Sequence, residues 1–284
     1  MTSASVHITG PAADTRNAHD TTQTALRDAA GRSAELLRRV DDGSMPVPGL
    51  TWTAAETAAH TIGELRDYTQ ALTRHTNGYM THANRPQESP SEMSAVVNAR
   101  QLIEVAERDM ARLADMVVAA AETYLAAAAA ADEDAAIPVA NGLVLNPATM
   151  TSLLLGEQIV HGLDVARAAR TRWDIRPRDA LMVIPGALSV APHYLTRSAL
   201  TTRASFELRI RGANGYRMEV DHGKATVTAA GERADCVITA DPVAFMLLGF
   251  GRISQWPPIL RGKLRAGGRK PWLAMKFATL LASP

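Results

Sequence analysis

Residues 146–170 constrain this chain more than any other stretch, because they place ionisable groups inside an apolar helix. The stretch begins Asn-Pro, a good helix cap followed by a residue suited to the first helical position. At about 100° per residue, Glu157, His161 and Asp164 fall within one narrow sector. Apolar residues lie beside that sector and on the opposite side, so we predict a buried helix. Its ionisable groups must then be paired, neutralised or bound to a metal.

Length and composition favour a folded protein of two domains. The chain has 284 residues, of which 46% are apolar and 21% charged. It has no apolar run of about 18 residues, so we expect no membrane span, and its first residues lack the apolar core of a signal peptide. The single cysteine, Cys236, excludes an internal disulfide and fits a reducing compartment. We therefore expect a cytoplasmic protein.

The two halves differ in charge. Residues 1–180 hold 16 arginines, no lysine and 23 acidic residues, a net charge of −7. Residues 181–284 carry +8, and residues 261–276 contain six basic residues and no acid. A basic domain beside an acidic one explains this distribution, and a site for an anionic ligand or membrane surface is the alternative. The basic run lacks interleaved aromatic residues of the kind that bind nucleic acid, so we expect no nucleic-acid partner.

The first half predicts an all-α domain. Periodicity indicates four helices, at residues 22–40, 53–73, 91–125 and 146–170. The second of them begins with Thr53 and Glu56 in the spacing of a capping box. Residues 75–90, rich in Gly, Asn and Pro, predict a loop. Four helices joined in this way indicate a four-helix bundle over residues 21–176, preceded by a mobile tail at residues 1–20.

The second half, residues 177–284, predicts an α+β domain. From residue 204 apolar and polar residues alternate, as in Phe206, Leu208 and Ile210, which is typical of strands. Cys236 falls in such a strand, as a buried structural thiol. Asp241 followed by proline predicts a helix start, and a last amphipathic helix follows Pro271. Strands followed by helices on one face indicate an α+β architecture.

A metal site is one interpretation of the helix at residues 146–170. Glu157 and His161, four residues apart, lie on one helical face and suit two ligands of one metal. His60, from a neighbouring helix, is a candidate third ligand, and Asp164 is placed to accept the second N–H of His161. The spacing alone is weak, because Glu–His pairs are common on helices.

His60 has a simpler interpretation. On its own helix it lies among Glu56, Glu64 and Asp67. From spacing alone, this pattern favours an ordinary histidine on a solvated acidic face.

Two stretches carry a resemblance to a known family. Residues 47–53 (VPGLTWT) with His60, and residues 156–166 (GEQIVHGLDVA), resemble the mycothiol-dependent maleylpyruvate isomerase family, whose metal-binding N-terminal domain is a DinB-like four-helix bundle. Residues 234–242, 247–252 and 268–274 are similar to the sterol-carrier-like domain that often follows it. The resemblance covers about residues 22–282.

The resemblance implies specific roles for residues. It implies that His60, Glu157 and His161 bind a divalent metal, usually zinc, so the acidic sector around His60 would face the site. It implies that mycothiol takes part in the reaction as a thiol cosubstrate. It also matches Arg252 to an arginine of the second domain that approaches the metal and supplies charge for a carboxylate; capping of a helix end is the alternative role for Arg252.

The resemblance leaves two functions open. The first is an enzyme in which a zinc-activated thiolate adds to an electrophilic small molecule, as a cis–trans isomerase or a thiol S-transferase. The second is a non-catalytic binding protein for an apolar or lipid-like ligand, with a structural or vestigial metal site. Kinship of fold does not choose the substrate.

Overall fold

The computed structural model describes residues 12–76 and 90–282 of the chain. These residues form two compact units, one of residues 16–175 and one of residues 176–282 together with residues 12–15. The loop predicted at residues 75–90 lies almost entirely outside the described residues.

The first unit is helical, as predicted. Its helices are α1 (Ala12–Leu37), α2 (Ala54–Thr76), α3 (Pro90–Glu104), α4 (Met110–Ala130) and α5 (Pro147–Ala168). Between α4 and α5 a short antiparallel pair, β1 (Ile137–Pro138) and β2 (Val144–Leu145), forms the connection. Helix α1 begins ten residues before the helix predicted at residues 22–40.

The predicted helix starts of α2 and α5 are confirmed. The Thr53 amide donates to Glu56 Oε2 at 2.8 Å and the Glu56 amide donates to Thr53 Oγ1 at 3.2 Å, the reciprocal pair of a capping box. Asn146 caps α5 by accepting a hydrogen bond from the Thr149 amide at 2.8 Å, and Pro147 follows it as the first helical residue.

The prediction of a single long helix at residues 91–125 is wrong. The chain leaves the helix after Glu104 and starts α4 at Met110, because Asp109 acts as a new N-cap and accepts from the Arg112 amide at 2.8 Å. The Arg108 side chain donates to the carbonyl oxygen of Leu102 at 3.1 Å and so satisfies the end of α3. The apolar periodicity continues across the break, whereas the capping residues mark it.

Helices α1, α2, α4 and α5 form the bundle, and α3 packs against α2. Helix α2 contacts α3, α4 and α5. Surface ion pairs join α1 to α4: Arg27 to Glu122 at 2.7 Å and Arg38 to Asp115 at 2.6 Å. The four-helix bundle predicted from sequence is therefore confirmed, with α4 as its third helix and α3 as an addition.

Helix α4 has the length and apolar composition of a membrane span, with 39% of its most apolar window buried. A single helix of this kind is weak evidence for a membrane span, because core helices of bundles have the same composition. Its buried side chains, among them Leu113, Val117 and Tyr124, face the bundle interior.

The second unit combines a sheet with helices. It contains α6 (Pro177–Val190), two 3₁₀ turns, β3 (Arg203–Ile210), β4 (Tyr216–Asp221), β5 (Lys224–Ala229), β6 (Cys236–Ala240), α7 (Pro242–Gly249), α8 (Trp256–Leu260), β7 (Leu264–Gly267) and α9 (Leu273–Leu280). The strand order is β5-β4-β3-β6-β7, with β3 and β6 parallel and the other neighbours antiparallel. The predicted α+β architecture is confirmed.

The alternation seen in the sequence sets which face of this sheet is buried. Phe206, Leu208 and Ile210 of β3 are at most 3% exposed. The ring of Phe206 lies 5.0 Å from the ring of Phe277 on α9, so this helix covers the apolar face. Cys236 is fully buried and burial raises the pKa of its thiol, as expected of a structural cysteine.

A close contact near the end of α5 depends on a glycine. The Trp173 indole N–H donates to the Ile159 carbonyl at 2.9 Å and lays the ring on Gly162. A Cβ at Gly162 would lie 2.3 Å from the ring. The Arg32 guanidinium covers the same indole ring, 5.1 Å from its centroid. Gly162 therefore lets the chain after α5 fold back against the helix.

We expect Gly162→Ala to lower the free energy of unfolding by about 1–3 kcal/mol, because the methyl group overlaps the Trp173 ring. Gly31→Ala is the matched control, since Gly31 is also helical and has no heavy atom within 4 Å of an added Cβ. Alanine should stabilise that position by up to about 1 kcal/mol through helix propensity. Urea unfolding of both variants measures the difference, and equal effects would contradict the packing role of Gly162.

Candidate metal centre

Three side chains from two helices meet in the first unit. His60 projects from α2, while Glu157 and His161 lie one turn apart on α5. One nitrogen or oxygen atom from each of the three lies within 4.8 Å of the others. Among the described residues, the structure thus brings together the set that the sequence singled out.

The carboxylate of Glu157 lies between the two imidazole rings. Its Oε2 atom is 3.1 Å from His161 Nε2 and 3.4 Å from His60 Nε2. The rings stand nearly perpendicular, at 85° with centroids 5.0 Å apart. His60 is only 4% exposed, so the interpretation of an ordinary histidine on a solvated face is wrong.

Burial and charge act in opposite directions on this cluster. Burial raises the pKa of the Glu157 carboxyl group, but hydrogen bonding with the two neighbouring imidazole rings, and their charge, outweigh it and hold that pKa far below its usual value. Burial lowers the pKa of His161, but hydrogen bonds to Asp164 and Glu157 and the charge of both carboxylates raise it to about 9. Without a metal, a proton on His161 Nε2 therefore bridges to Glu157.

Asp164 lies where the sequence predicted. Its Oδ2 atom is 3.0 Å from His161 Nδ1, and the residue is 1% exposed. The carboxylate accepts the Nδ1–H of His161 and so directs Nε2 toward Glu157.

The sequence did not single out two further residues that contact the cluster. The Trp52 ring lies 4.8 Å from the His60 ring and 6.2 Å from the His161 ring, and shields one side of the site. Its place in the stretch 47–53 was the available signal. Gln101 Oε1 lies 2.8 Å from His60 Nδ1. Nothing in the sequence marked Gln101, because it lies inside a helix recognised only by its apolar positions.

The acidic residues around His60 have separate partners. Glu56 belongs to the capping box at the start of α2. Glu64 and Asp67 both accept hydrogen bonds from the side-chain amide of Gln101, at 2.8 and 2.6 Å. Part of the acidic sector therefore faces α3.

The donor set fits a divalent metal. Two imidazole nitrogens and one carboxylate oxygen are the ligands of catalytic zinc, which keeps a further position open. Ligand atoms at about 2.0–2.1 Å from a tetrahedral ion are about 3.3 Å apart, and the separations of 3.1 and 3.4 Å around Glu157 agree with this value. His60, Glu157 and His161 could therefore hold such an ion.

Arg252 lies in the second unit, directly after α7. Gly251, at φ 67°, ends the helix, and the Arg252 amide donates to the Leu247 carbonyl at 2.8 Å, the pattern of a Schellman motif. The Arg252 guanidinium donates to the Phe250 carbonyl at 2.7 Å. The capping role that the sequence left open is therefore present.

Comparison with known families covers most of the chain. Residues 26–166 match the model of the mycothiol maleylpyruvate isomerase N-terminal domain. Residues 194–282 match that of the SCP-2 sterol transfer family. The first unit is a mycothiol maleylpyruvate isomerase N-terminal domain. This domain carries the candidate metal centre, and the second unit contains a domain of the SCP-2 type.

Two crystal structures share the fold of the chain. A crystal structure of the mycothiol-dependent maleylpyruvate isomerase is 13% identical with a TM-score of 0.55, covering 88% of this chain and 92% of that one. A histidine-to-alanine mutant of that enzyme gives the same values. The sterol carrier protein domain 2 of Helicoverpa armigera is 20% identical with a TM-score of 0.30, covering 38% of this chain and 95% of its own. The comparison with curated proteins found no match.

The raised pKa of His161 makes metal binding by this protein dependent on pH. A metal ligand needs the neutral ring, so zinc must displace the proton that His161 carries below a pKa of about 9. We expect about one proton to be released per zinc ion near pH 7, and the apparent affinity to fall about tenfold for each pH unit below 9. Calorimetry in buffers of different ionisation enthalpy counts the protons.

The folding stability of the metal-free protein should decrease as the pH rises, whereas its zinc affinity increases. Because the pKa of His161 is raised above its unfolded value of about 6.5, the charged His161–Glu157 pair stabilises the fold fully below that pH. The stabilisation is lost as the pH rises through about 9. Zinc affinity independent of pH, or zinc binding without proton release, would contradict this assignment.

Proposed function

We propose that this chain is a metal- and thiol-dependent enzyme that adds an activated thiol to an electrophilic small molecule. The observation that carries the proposal is the meeting of His60, Glu157 and His161, three donors that leave one side of a tetrahedral ion for an external ligand. The match of the first unit to the mycothiol maleylpyruvate isomerase N-terminal domain supports it.

The residues of the centre have distinct tasks. His60 and His161 would present neutral nitrogens to a bound ion, and Glu157 would supply a negative charge. Asp164 and Gln101 hold the outer nitrogens of the two rings. A bound zinc ion would supply Lewis acidity, which lowers the pKa of a thiol that coordinates it.

The thiol must come from outside the chain. The single cysteine, Cys236, is fully buried in β6 of the other unit and burial raises the pKa of its thiol, so it is unsuited to act as a nucleophile. Mycothiol, the thiol named in the family, is the proposed cosubstrate.

The chemistry follows from a thiolate beside an electrophilic carbon. Addition of the sulfur to a conjugated cis double bond leaves a single bond that can rotate, and elimination of the sulfur then gives the trans product. An enzyme that stops after addition is a thiol S-transferase. Trp52 shields one side of the centre and helps to exclude water from the reacting atoms.

Arg252 is our choice for the residue that binds a carboxylate of the substrate. The half-chain that contains it has a net charge of +8 over residues 181–284. An arginine on a carboxylate forms a charge-assisted hydrogen bond, which fixes orientation as well as affinity.

Metal content and thiol-dependent activity test the proposal together. We expect the purified protein to hold about one zinc ion per chain and His161→Ala, His60→Ala and Glu157→Gln to hold none, since each removes one of three ligands. His193→Ala, an exposed histidine of the second unit, is the control and should keep its metal. Activity is measured with and without mycothiol on cis-dienoic acids and activated electrophiles.

The outcomes separate the two functions. Loss of both metal and mycothiol-dependent turnover in the three ligand variants supports the enzyme. A wild-type protein that binds no metal and instead extracts lipid from vesicles overturns it in favour of a non-catalytic lipid-binding protein.

Replacement of Arg252 tests its role separately. We expect Arg252→Ala to lower kcat/KM for a carboxylate substrate by about 10–100-fold with unchanged zinc content, and Arg252→Lys to lower it less, because lysine keeps the charge. The backbone bonds that end α7 remain in both variants. The same variants are measured with the carboxamide analogue of the substrate, which carries no negative charge. If Arg252→Ala lowers kcat/KM as much for the carboxamide as for the carboxylate, Arg252 acts only at the helix end.

A further inference from the structure

Gln101 of α3 is completely buried, and its side chain spans from His60 to two carboxylates of α2. Its Oε1 atom lies 2.8 Å from His60 Nδ1. Its Nε2 atom lies 2.8 Å from Glu64 Oε1 and 2.6 Å from Asp67 Oδ2. A Cβ at Gly63 would come within 2.6 Å of the Gln101 side chain, so the glycine gives this amide its space.

The partners of the amide fix its orientation. Asp67 is ion-paired with Arg100 at 2.7 Å, so its carboxylate is ionised and can only accept hydrogen bonds. The NH₂ group of Gln101 must therefore face Asp67, because the reversed amide would set a carbonyl oxygen against a carboxylate. Both N–H bonds of the amide are then used, one on Asp67 and one on Glu64.

The fixed amide in turn fixes the ring of His60. With its NH₂ group turned to the carboxylates, Gln101 presents only an oxygen to His60 Nδ1, and an amide oxygen only accepts. The hydrogen must lie on Nδ1, so a neutral His60 ring keeps its lone pair on Nε2. That nitrogen is the atom 3.4 Å from Glu157.

We propose that Gln101 is a positioning residue that selects the tautomer of His60, holding its hydrogen on Nδ1 so that Nε2 is ready for a metal. Asp67, paired with Arg100, sets the orientation of the Gln101 amide, and the amide in turn sets the tautomer of the His60 ring. The two histidines are thus oriented by different means, since His161 contacts the carboxylate of Asp164 directly. A neutral amide orients His60 without a second carboxylate in contact with its ring.

The metal part of this inference rests on the proposed function, whereas the tautomer can be read without a metal. Removal of Gln101 leaves the Glu157 carboxylate 3.4 Å from His60 Nε2, and this acceptor favours hydrogen on Nε2 instead. A metal would then bind only after that proton had moved. Outer partners of metal-bound histidines contribute about 10–100-fold to metal affinity.

The test compares wild type with Gln101→Leu, Asp67→Leu and their double variant, and with Gln70→Leu, an exposed glutamine of α2, as control. Nitrogen-15 NMR of histidine-labelled, metal-free protein, recorded as the pH is raised until His60 is neutral, reports the tautomer. His60→Ala assigns the signal. We expect hydrogen on Nδ1 in wild type and Gln70→Leu, and on Nε2 in Gln101→Leu.

Competition with a chromophoric chelator measures zinc affinity in the same set. We expect Gln101→Leu and Asp67→Leu each to weaken zinc binding about 10–100-fold and the double variant to be no weaker than the worse of the two, because both act through one contact. Gln101→Glu keeps an acceptor at Nδ1 and should keep the wild-type tautomer, at a cost in stability from repulsion by Asp67.

The outcomes are distinct. Hydrogen on Nε2 in wild type, or an unchanged tautomer in Gln101→Leu, overturns the role of Gln101. Additive effects of the two leucine substitutions overturn the transmission from Asp67. A wild-type protein that binds no zinc overturns the proposed function, while the spectra still decide how His60 is held.

Discussion

The carboxylate of Glu157, held between two imidazole rings inside a helical bundle, is the interaction on which the rest of the first unit depends. A charge in such a place is costly unless it is paired, and here both partners are supplied by helices that pack side by side. A proton or a metal ion between these atoms satisfies the same requirement. The metal-free protein and a metal-bound one can therefore share one backbone.

Around this carboxylate the structure arranges partners for every ring nitrogen. Asp164 and Gln101 hold the outer nitrogens, and Trp52 covers one side. Two glycines of these helices open space for bulky neighbours: Gly63 beneath Gln101 and Gly162 beneath Trp173. Helix packing and site geometry are thus set by the same few contacts.

The break between α3 and α4 is the feature of the first unit that the sequence analysis predicted wrongly. Apolar periodicity runs from residue 91 to residue 125, and it predicts one helix because it reports only which face is buried. Asp109 and Arg108 end one helix and begin another through local hydrogen bonds. The break turns α3 into a separate segment that packs on α2 and brings Gln101 to His60.

The sequence by itself determined the helical and α+β halves, the caps of α2 and α5, the buried alternation of the sheet and the positions of Glu157, His161 and Asp164 on one helical face. Those features depend on neighbours within a few residues, whose spacing along the chain is their spacing in the fold. The family resemblance implied that His60 meets the Glu–His pair, but only the tertiary structure shows it, because His60 and Glu157 are about a hundred residues apart along the chain. The tertiary structure also decided that Gln101 and Trp52 contact the rings, and that the Arg252 guanidinium binds the end of α7. Contacts between distant segments follow from how the helices pack, which no periodicity records.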